Sequence, residues 1–441
     1  MVFPHNGTTH SIHSAGTTPS SFQELKSRIH RLLIERIDLS KLDLLRNGEL
    51  ENEIGYVIET LIAEEGVPLS RQEKERLVIE VQHETFGLGP IEPLLSSPDI
   101  SDILVNNYAS TYVERHGKLE KTNIVFRDNN HLMQIIERIV SRVGRRIDES
   151  SPYVDARLPD GSRINAIIPP LAIDGPVLSI RRFGLVPLKM LDLLALGTFD
   201  QRIAKIIEGA VRSRLNILIC GGTGTGKTTL LNVISEFIPD DERIITIEDS
   251  AELQLKQDHV VRLETRPANI EGSGQITQRD LVRNSLRMRP NRIILGEVRG
   301  GEALDMLQAM NTGHDGSIST IHANTVRDAM SRLATMVMMA GMELPDRAIR
   351  EQISSAINMI IHLVRFPDGT RKIVKISEIT GMEGNTIVMQ DIFSFVQNGI
   401  DETGKVLGEF RATGVRPTFA ERFTLSGFNL PPDIFEGRSA T

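Results

Sequence analysis

The chain has 441 residues, 40% of them apolar and only 4% aromatic, with no Trp and a formal net charge of −8. That length allows about three domains, whose cores must rest on aliphatic side chains. The acidic balance argues against wholesale electrostatic binding to nucleic acid, and the single cysteine, Cys220, excludes a disulfide framework and a four-cysteine zinc site. One free thiol suits a reducing compartment. No uninterrupted apolar run is long enough to span a bilayer, and residues 1–21 contain no Lys or Arg, so neither a membrane span nor a signal peptide is expected. The expected location is the cytoplasm, with any membrane reached through a partner.

Residues 1–21 are rich in Ser, Thr and Gly and read as an unstructured tail. Its three histidines, His5, His10 and His13, are too scattered to suggest a metal site. From Phe22 the apolar residues Leu25, Ile29, Leu32, Leu33 and Ile37 recur at helical spacing, and Ile54, Val57, Ile58, Leu61 and Ile62 form a second such face. Ser70 followed by Glu73 is a capping-box signature for a third helix carrying Leu77, Val78 and Val81. A helical bundle over 22–88 is therefore expected. After the punctuation Gly87-Leu88-Gly89-Pro90, strands are expected at Ile100–Val105, Thr111–Arg115 and Leu119–Phe126, then a helix over about 130–144. A turn at Arg157–Arg163 and a strand at Leu178–Phe183 complete a mixed α/β domain over 89–185. From 186 to 441 the chain reads as a helical connector, then strands alternating with helices, which indicates a parallel sheet covered by helices.

Within that last region the apolar run Leu215–Cys220 reads as a buried strand, and Gly221-Gly222-Thr223-Gly224-Thr225-Gly226-Lys227-Thr228 follows it. The pattern is G-x-x-x-x-G-K-[ST], with a helix from Thr229. Glycine backbone can wrap phosphate oxygens closely, and the helix N-terminus adds favourable charge for an anion. Gly221 to Thr229 are thus the nucleotide-binding residues, with Lys227 on the β- and γ-phosphates and Thr228 on Mg2+. ATP and Mg2+ are the expected cofactors.

Two later strands end in acids, Arg243–Asp249 at Glu248 and Asn291–Glu297 at Glu297. Ligands sit beyond the carboxyl ends of parallel strands, so both acids are placed to act on a nucleotide. One carboxylate orients water and another serves the metal. His322 directly follows the strand Ser317–Ile321, where it can touch the γ-phosphate. Arg279, Arg283 and Arg287 share a helix face that suits a subunit interface, a phosphate contact, a nucleic-acid contact or plain solvent. Met330, Met336, Met338, Met339 and Met342 are expected to pack a core helix.

Taken together these segments resemble the type II/IV secretion ATPase superfamily, with greatest likeness to the CpaF-like motor of tight-adherence (Tad/Flp) pili. The resemblance runs from about Phe22 to Phe435 and includes the phosphate loop, the acidic box Ile245–Asp249 and Leu286-Arg287-Met288-Arg289-Pro290. Gly296-Glu297-Val298-Arg299-Gly300 and the His box, Gly313–Gly316 with Thr320–Asn324, complete it. What this implies is a homohexameric ATPase with a RecA-like motor domain after a PAS-like domain, working with inner-membrane platform proteins of a pilus or secretion machine. It implies Glu248 as the water-activating carboxylate, Glu297 as the Walker B acid near magnesium and His322 as a γ-phosphate sensor, although the two glutamates can exchange roles on sequence alone. Among Arg157, Arg163, Arg181 and Arg182, which occupy the segment that supplies nucleotide-contacting arginines in the family, Arg163 and Arg181 are favoured.

The leading expectation is a motor assembling, and also able to retract, a Tad-type pilus, with no direct nucleic-acid contact. One rival is a RecA-like motor for DNA uptake or transfer in a type IV secretion-like system. A GTP-dependent switch lacks an Asn-Lys-x-Asp guanine motif, and a small-molecule kinase lacks an obvious acceptor site.

Overall fold

The computed structural model describes residues 19–36, 47–115, 117–158, 160–182, 188–268 and 273–437. The expected tail lies outside the described residues as far as residue 18, and its three histidines with it. Two compact units divide the chain, Met1–Phe183 and Gly184–Thr441. Among the described residues no helix is long and apolar enough to cross a membrane.

In the first unit, helices α1 (Pro19–Arg36), α2 (Asn47–Glu65) and α3 (Arg71–Thr85) bury Leu25, Ile29 and Leu33 against Ile58, Leu61, Leu77 and Val81. The capping box forms as its residue types require: Glu73 N–H donates to Ser70 Oγ at 3.2 Å, and Ser70 N–H donates to the Glu73 carboxylate at 2.8 Å. The short α4 (Glu92–Ser96) leads into β1 (Ile100–Asn107), β2 (Ser110–Arg115) and β3 (Lys118–Lys121). Helix α5 (Asn129–Arg142) and strands β4 (Tyr153–Arg157), β5 (Arg163–Ile167) and β6 (Val177–Arg181) follow. All pairings in this sheet are antiparallel, in the order β3-β2-β1-β6-β5-β4. Leu132, Ile135, Ile136, Ile139 and Val140 of α5 fall at helical spacing and cover it. The expected strand Leu119–Phe126 ends early, at Lys121, with a last contact to β2 in which the Thr122 N–H and Oγ1 donate to Thr111 O.

A buried ionic cluster ties the bundle to α5. Glu84 accepts from His131 at 2.8 Å and pairs with Lys26 at 3.2 Å, while Arg138 donates to the Glu84 and Gly87 carbonyls. Burial alone would raise the Glu84 carboxyl, but His131 and Lys26 bring it down to about 2.

The second unit opens with α6 (Met190–Ala195) and α7 (Gln201–Arg212). Then come β7 (Ile217–Gly221), α8 (Lys227–Ser235), β8 (Ile244–Glu248), β9 (Val260–Glu264), α9 (Gln278–Ser285) and β10 (Arg292–Val298). Next are α10 (Glu302–Asn311), β11 (Ile318–His322), α11 (Val326–Met338) and α12 (Asp346–Ala356). Strands β12 (Met359–Arg365), β13 (Arg371–Glu383), β14 (Thr386–Ile400) and β15 (Val406–Ala412) precede α13 (Ala420–Leu425). The sheet order is β15-β14-β13-β12-β7-β11-β10-β8-β9.

Strands from β12 to β9 in that order are parallel, as the alternation of strand and helix requires. Strand β7 is buried on both faces: Ile217 and Ile219 join the layer of α7 and α8, and Leu218 and Cys220 that of α10 to α12. Burial pushes the Cys220 thiol up to about 12, so it packs as an apolar side chain.

The mixed α/β expectation holds, but the purely parallel sheet does not. Strands β13 to β15 extend it by antiparallel hairpins. Many residues of β14 are polar and partly exposed, so no apolar run marked it. The turns Pro367-Asp368-Gly369 and Gly384-Asn385 were the available signals. The methionine expectation holds only in part: Met330 and Met336 are buried, whereas Met338, Met339 and Met342 are exposed.

Candidate nucleotide site at the phosphate loop

The end of β7 passes into Gly221–Gly226, and α8 starts at Lys227. Gly224 and Gly226 have φ of +69° and +93°, a backbone region that favours glycine. At Gly221 the reason is space, since a Cβ there would sit 2.6 Å from Leu363 O. The Lys227 ammonium donates to Gly221 O at 3.1 Å and Gly222 O at 2.9 Å and lies 3.9 Å from Glu297 Oε1. Burial holds it below the ordinary lysine range, with Glu297 opposing that shift. Thr223, Thr225, Thr228 and Thr229 fall on the same loop and first helical turn, and Thr225 Oγ1 donates back to Gly222 O at 3.0 Å.

The parallel pairing brings the expected acids to this end of the sheet. Ile247 stands opposite Leu295, so Glu248 and Gly296-Glu297 emerge side by side from β8 and β10. Glu248 is 3% exposed and accepts from the Glu252 N–H at 2.7 Å and the Leu253 N–H at 3.0 Å. Burial raises its carboxyl to about 7 despite those donors. Glu297 differs: its Oε2 accepts from Arg299 Nε at 2.7 Å, and Arg299 also reaches Asp249 at 3.3 Å. Between Leu295 and Val298 the pairing of β10 with β11 slips by one residue, a bulge that re-aims Glu297. Thr320 Oγ1 anchors the bulge by donating to Gly296 O at 2.6 Å.

His322 closes β11 and pairs in register with Gly221, which sets it beside the start of the phosphate loop. His314 precedes the same strand, so it belongs to the opposite end of the sheet, with its Nδ1 3.1 Å from Pro290 O. Arg279 and Arg283 each reach the buried Asp305 of α10 at 2.8 Å, but Arg279 is half-buried while Arg283 stays exposed, so their shared face is only partly packed against the interior. Arg287 lies beyond the end of α9 and is exposed.

The arginines expected to serve the nucleotide belong to the first unit. Arg163 of β5 stands directly opposite Arg181 of β6, and Arg157 of β4 directly opposite Arg163. Direct cross-strand partners share a face, so three guanidinium side chains lie in one row. Arg181 is held at 3.2 Å by Asp102. Arg182 is spent otherwise, donating to the carbonyls of Ser97 and Ile100.

Two arginines escaped the sequence reading altogether. Arg371 Nε donates to Gly224 O at 2.8 Å, and an Arg365 guanidinium nitrogen lies 3.0 Å from where a Gly224 Cβ would be. No motif marks them: they stand as cross-strand partners at the end of β12 and the start of β13, far along the chain from the phosphate loop.

A family model described as "Type II/IV secretion system protein" matches residues 84–405, and one described as "Type II secretion system protein E, N-terminal domain" matches residues 22–84. A Mycobacterium tuberculosis protein named provisionally for conjugal transfer is 37% identical over 310 residues, which cover 69% of this chain and 88% of that one. The type IV secretion system protein VirB11 of Brucella suis is 32% identical over 305 residues, covering 63% of this chain and 84% of its own. The solved structure of that VirB11 ATPase, in complex with sulphate, aligns at 30% identity over 66% of this chain and 96% of the other, with a TM-score of 0.35 that is too low to argue from. With a phosphate loop, strand-end acids and a family match over most of its length, the chain belongs to the type II/IV secretion system protein family and is one of its P-loop ATPases.

Proposed function

We propose that this ATPase energises a type IV secretion or conjugal-transfer apparatus, working as a homohexamer at the cytoplasmic face of the inner membrane. The observation that carries the catalytic part is the division of labour between two neighbouring acids. Glu248 is buried, with a carboxyl near 7, so it is poised to take or give a proton at neutral pH. Glu297 is ion-paired to Arg299 and close to Lys227, which suits the metal side of the site. This favours Glu248 as the residue that orients and activates water. When bound, Mg2+ would neutralise developing charge on the phosphates. Thr228 and Glu297 would hold it. Among the described residues there is no cluster of three or more His, Cys, Asp or Glu able to hold a metal, which fits an ion held mostly by phosphates and water.

On the same reading Lys227 lies on the β- and γ-phosphates, His322 senses the γ-phosphate, and the row containing Arg163 and Arg181 supplies arginines to a nucleotide. The four-segment organisation, with a RecA-like motor region after a PAS-like one, is retained as part of it. The choice of apparatus rests on names. Relatives named for conjugal transfer and for type IV secretion weigh toward the transfer reading, which displaces the Tad-type pilus motor as the leading assignment. The pilus reading stands second, resting on the resemblance that runs from about Phe22 to Phe435.

Two measurements test this. Purified chain should hydrolyse ATP only with Mg2+, and Glu248→Gln should bind ATP while turning it over at least a hundredfold more slowly, an order of magnitude in keeping with loss of a general base; normal turnover in that variant would move the base elsewhere. Deleting the gene should abolish DNA or effector transfer, whereas loss of surface filaments with transfer intact would reinstate the pilus motor.

A further inference from the structure

Strand β7, which delivers the phosphate loop, has two direct neighbours. On one side β11 brings His322 level with Gly221. On the other, β12 pairs Leu363 with the same Gly221, so the residues after Leu363 overhang the loop. They enter the β12–β13 hairpin, whose two stems present Arg365 and Arg371 as cross-strand partners. Arg371 Nε donates to Gly224 O at 2.8 Å, and its Cδ is 3.3 Å from a Cβ placed on Gly226. The Arg365 guanidinium comes within 3.0 Å of a Cβ placed on Gly224, so that glycine is needed for space as well as for its positive φ.

The hairpin carrying these arginines is firmly mounted. Asp368 accepts from the Thr370 N–H at 2.9 Å and Thr370 Oγ1 at 2.7 Å within the turn, and from the Val406 N–H of β15 at 2.8 Å. Phe366 stacks edge-on against Phe395, which in turn packs on Phe410. A rigid support behind charged side chains is what a preorganised binding site requires. Two guanidiniums beside a loop that already carries Lys227 concentrate positive charge at a glycine cradle, and that arrangement gains from a bound polyanion.

We propose that Arg365 and Arg371 are positioning residues for the nucleotide, acting in cis as a clamp on the outer side of the phosphate loop. Arg371 holds the Gly224 peptide so that the loop N–H groups stay aimed at the triphosphate, and Arg365 keeps the same segment closed by contact and charge. The proposal rests on the phosphate loop being the ATP site, and is separate from any role of the arginines in the first unit.

The test uses the full chain with Arg365→Ala, Arg371→Ala and Arg371→Lys, alongside Lys227→Ala. ATP affinity is read by titration calorimetry, and hydrolysis is resolved into KM and kcat. Each alanine variant is expected to weaken ATP binding and raise KM by about tenfold, the scale of one charge-assisted hydrogen bond, with kcat within about twofold and the nucleotide-free melting temperature little changed. Arg371→Lys keeps the charge but cannot reproduce the Nε bond, so it recovers only part of the loss. Wild-type KM and affinity in both alanine variants would overturn the proposal, as would a fall in kcat at unchanged KM. If Arg371→Ala fails to fold, Arg365→Ala decides alone. Should Lys227→Ala retain full ATP binding, the ATP site itself is misplaced; should it lose binding while the arginine variants keep it, only the clamp is wrong.

Discussion

The side chain of Glu248 occupies the space that a side chain at residue 296 would need: a Cβ on Gly296 would sit 2.9 Å from Glu248 Cγ. The glycine that precedes Glu297 is therefore part of how Glu248 is aimed. Gly296→Ala should displace the Glu248 carboxylate and lower kcat by on the order of a hundredfold, as small misplacements of reacting groups do. ATP affinity should stay within about twofold, because the phosphate loop is untouched. Stopped-time hydrolysis assays and ATP titrations check this, and unchanged kcat in a folded variant would refute it.

Glu248 also makes stability depend on pH. The unfolded chain releases this proton near 4.5, while the folded chain keeps it up to about 7 because burial disfavours the charged form. Between those values the native state binds more protons, so this contribution to stability declines as pH rises. The loss is complete above 7 and on the order of 3 kcal/mol at most. Urea melts of wild type and Glu248→Gln at pH 5 and pH 8 should show the wild type losing ground to the variant at the higher pH. Parallel pH profiles would count against it.

Arg292 is fully buried and makes a bidentate pair with Glu242 at 2.7 Å and 2.8 Å. It starts β10, at the end of the strand opposite Glu297. Glu242→Ala should therefore destabilise the second unit by about 3–5 kcal/mol, since it strands a buried cation. Chemical denaturation measures this, and replacing both partners by apolar residues should cost less.

Adjacent arginines in the first unit should behave differently. Arg182→Ala removes two half-buried donations, to the carbonyls of Ser97 just past α4 and of Ile100 at the start of β1, and should cost about 2 kcal/mol. Arg181→Ala removes an exposed pair with Asp102 and should change stability by less than about 1 kcal/mol. A drop in ATP turnover by on the order of a thousandfold in Arg181→Ala, with its melt unchanged, is the outcome expected of an arginine that serves the nucleotide. Full turnover would remove it from the site.

What the sequence by itself determined are features that local chemistry enforces. The phosphate loop was legible because positive φ and close packing at Gly221, Gly224 and Gly226 admit little but glycine. The bundle was legible from apolar spacing, and the Ser70–Glu73 cap from residue types three apart. Glu248 and Glu297 could be placed at strand ends, since a parallel strand's carboxyl end is a fixed address. What only the tertiary structure decided depends on register between segments far apart in the chain. The pairing of Leu363 with Gly221 hangs Arg365 and Arg371 over the loop, and that of Arg163 with Arg181 builds the arginine row. The one-residue slip between Leu295 and Val298 turns Glu297. The different environments of the two acids are of the same kind: burial raises one carboxyl, and Arg299 pairs with the other. Side-chain type predicts what a residue can do, but desolvation and charge partners are set by whichever strand folds alongside it.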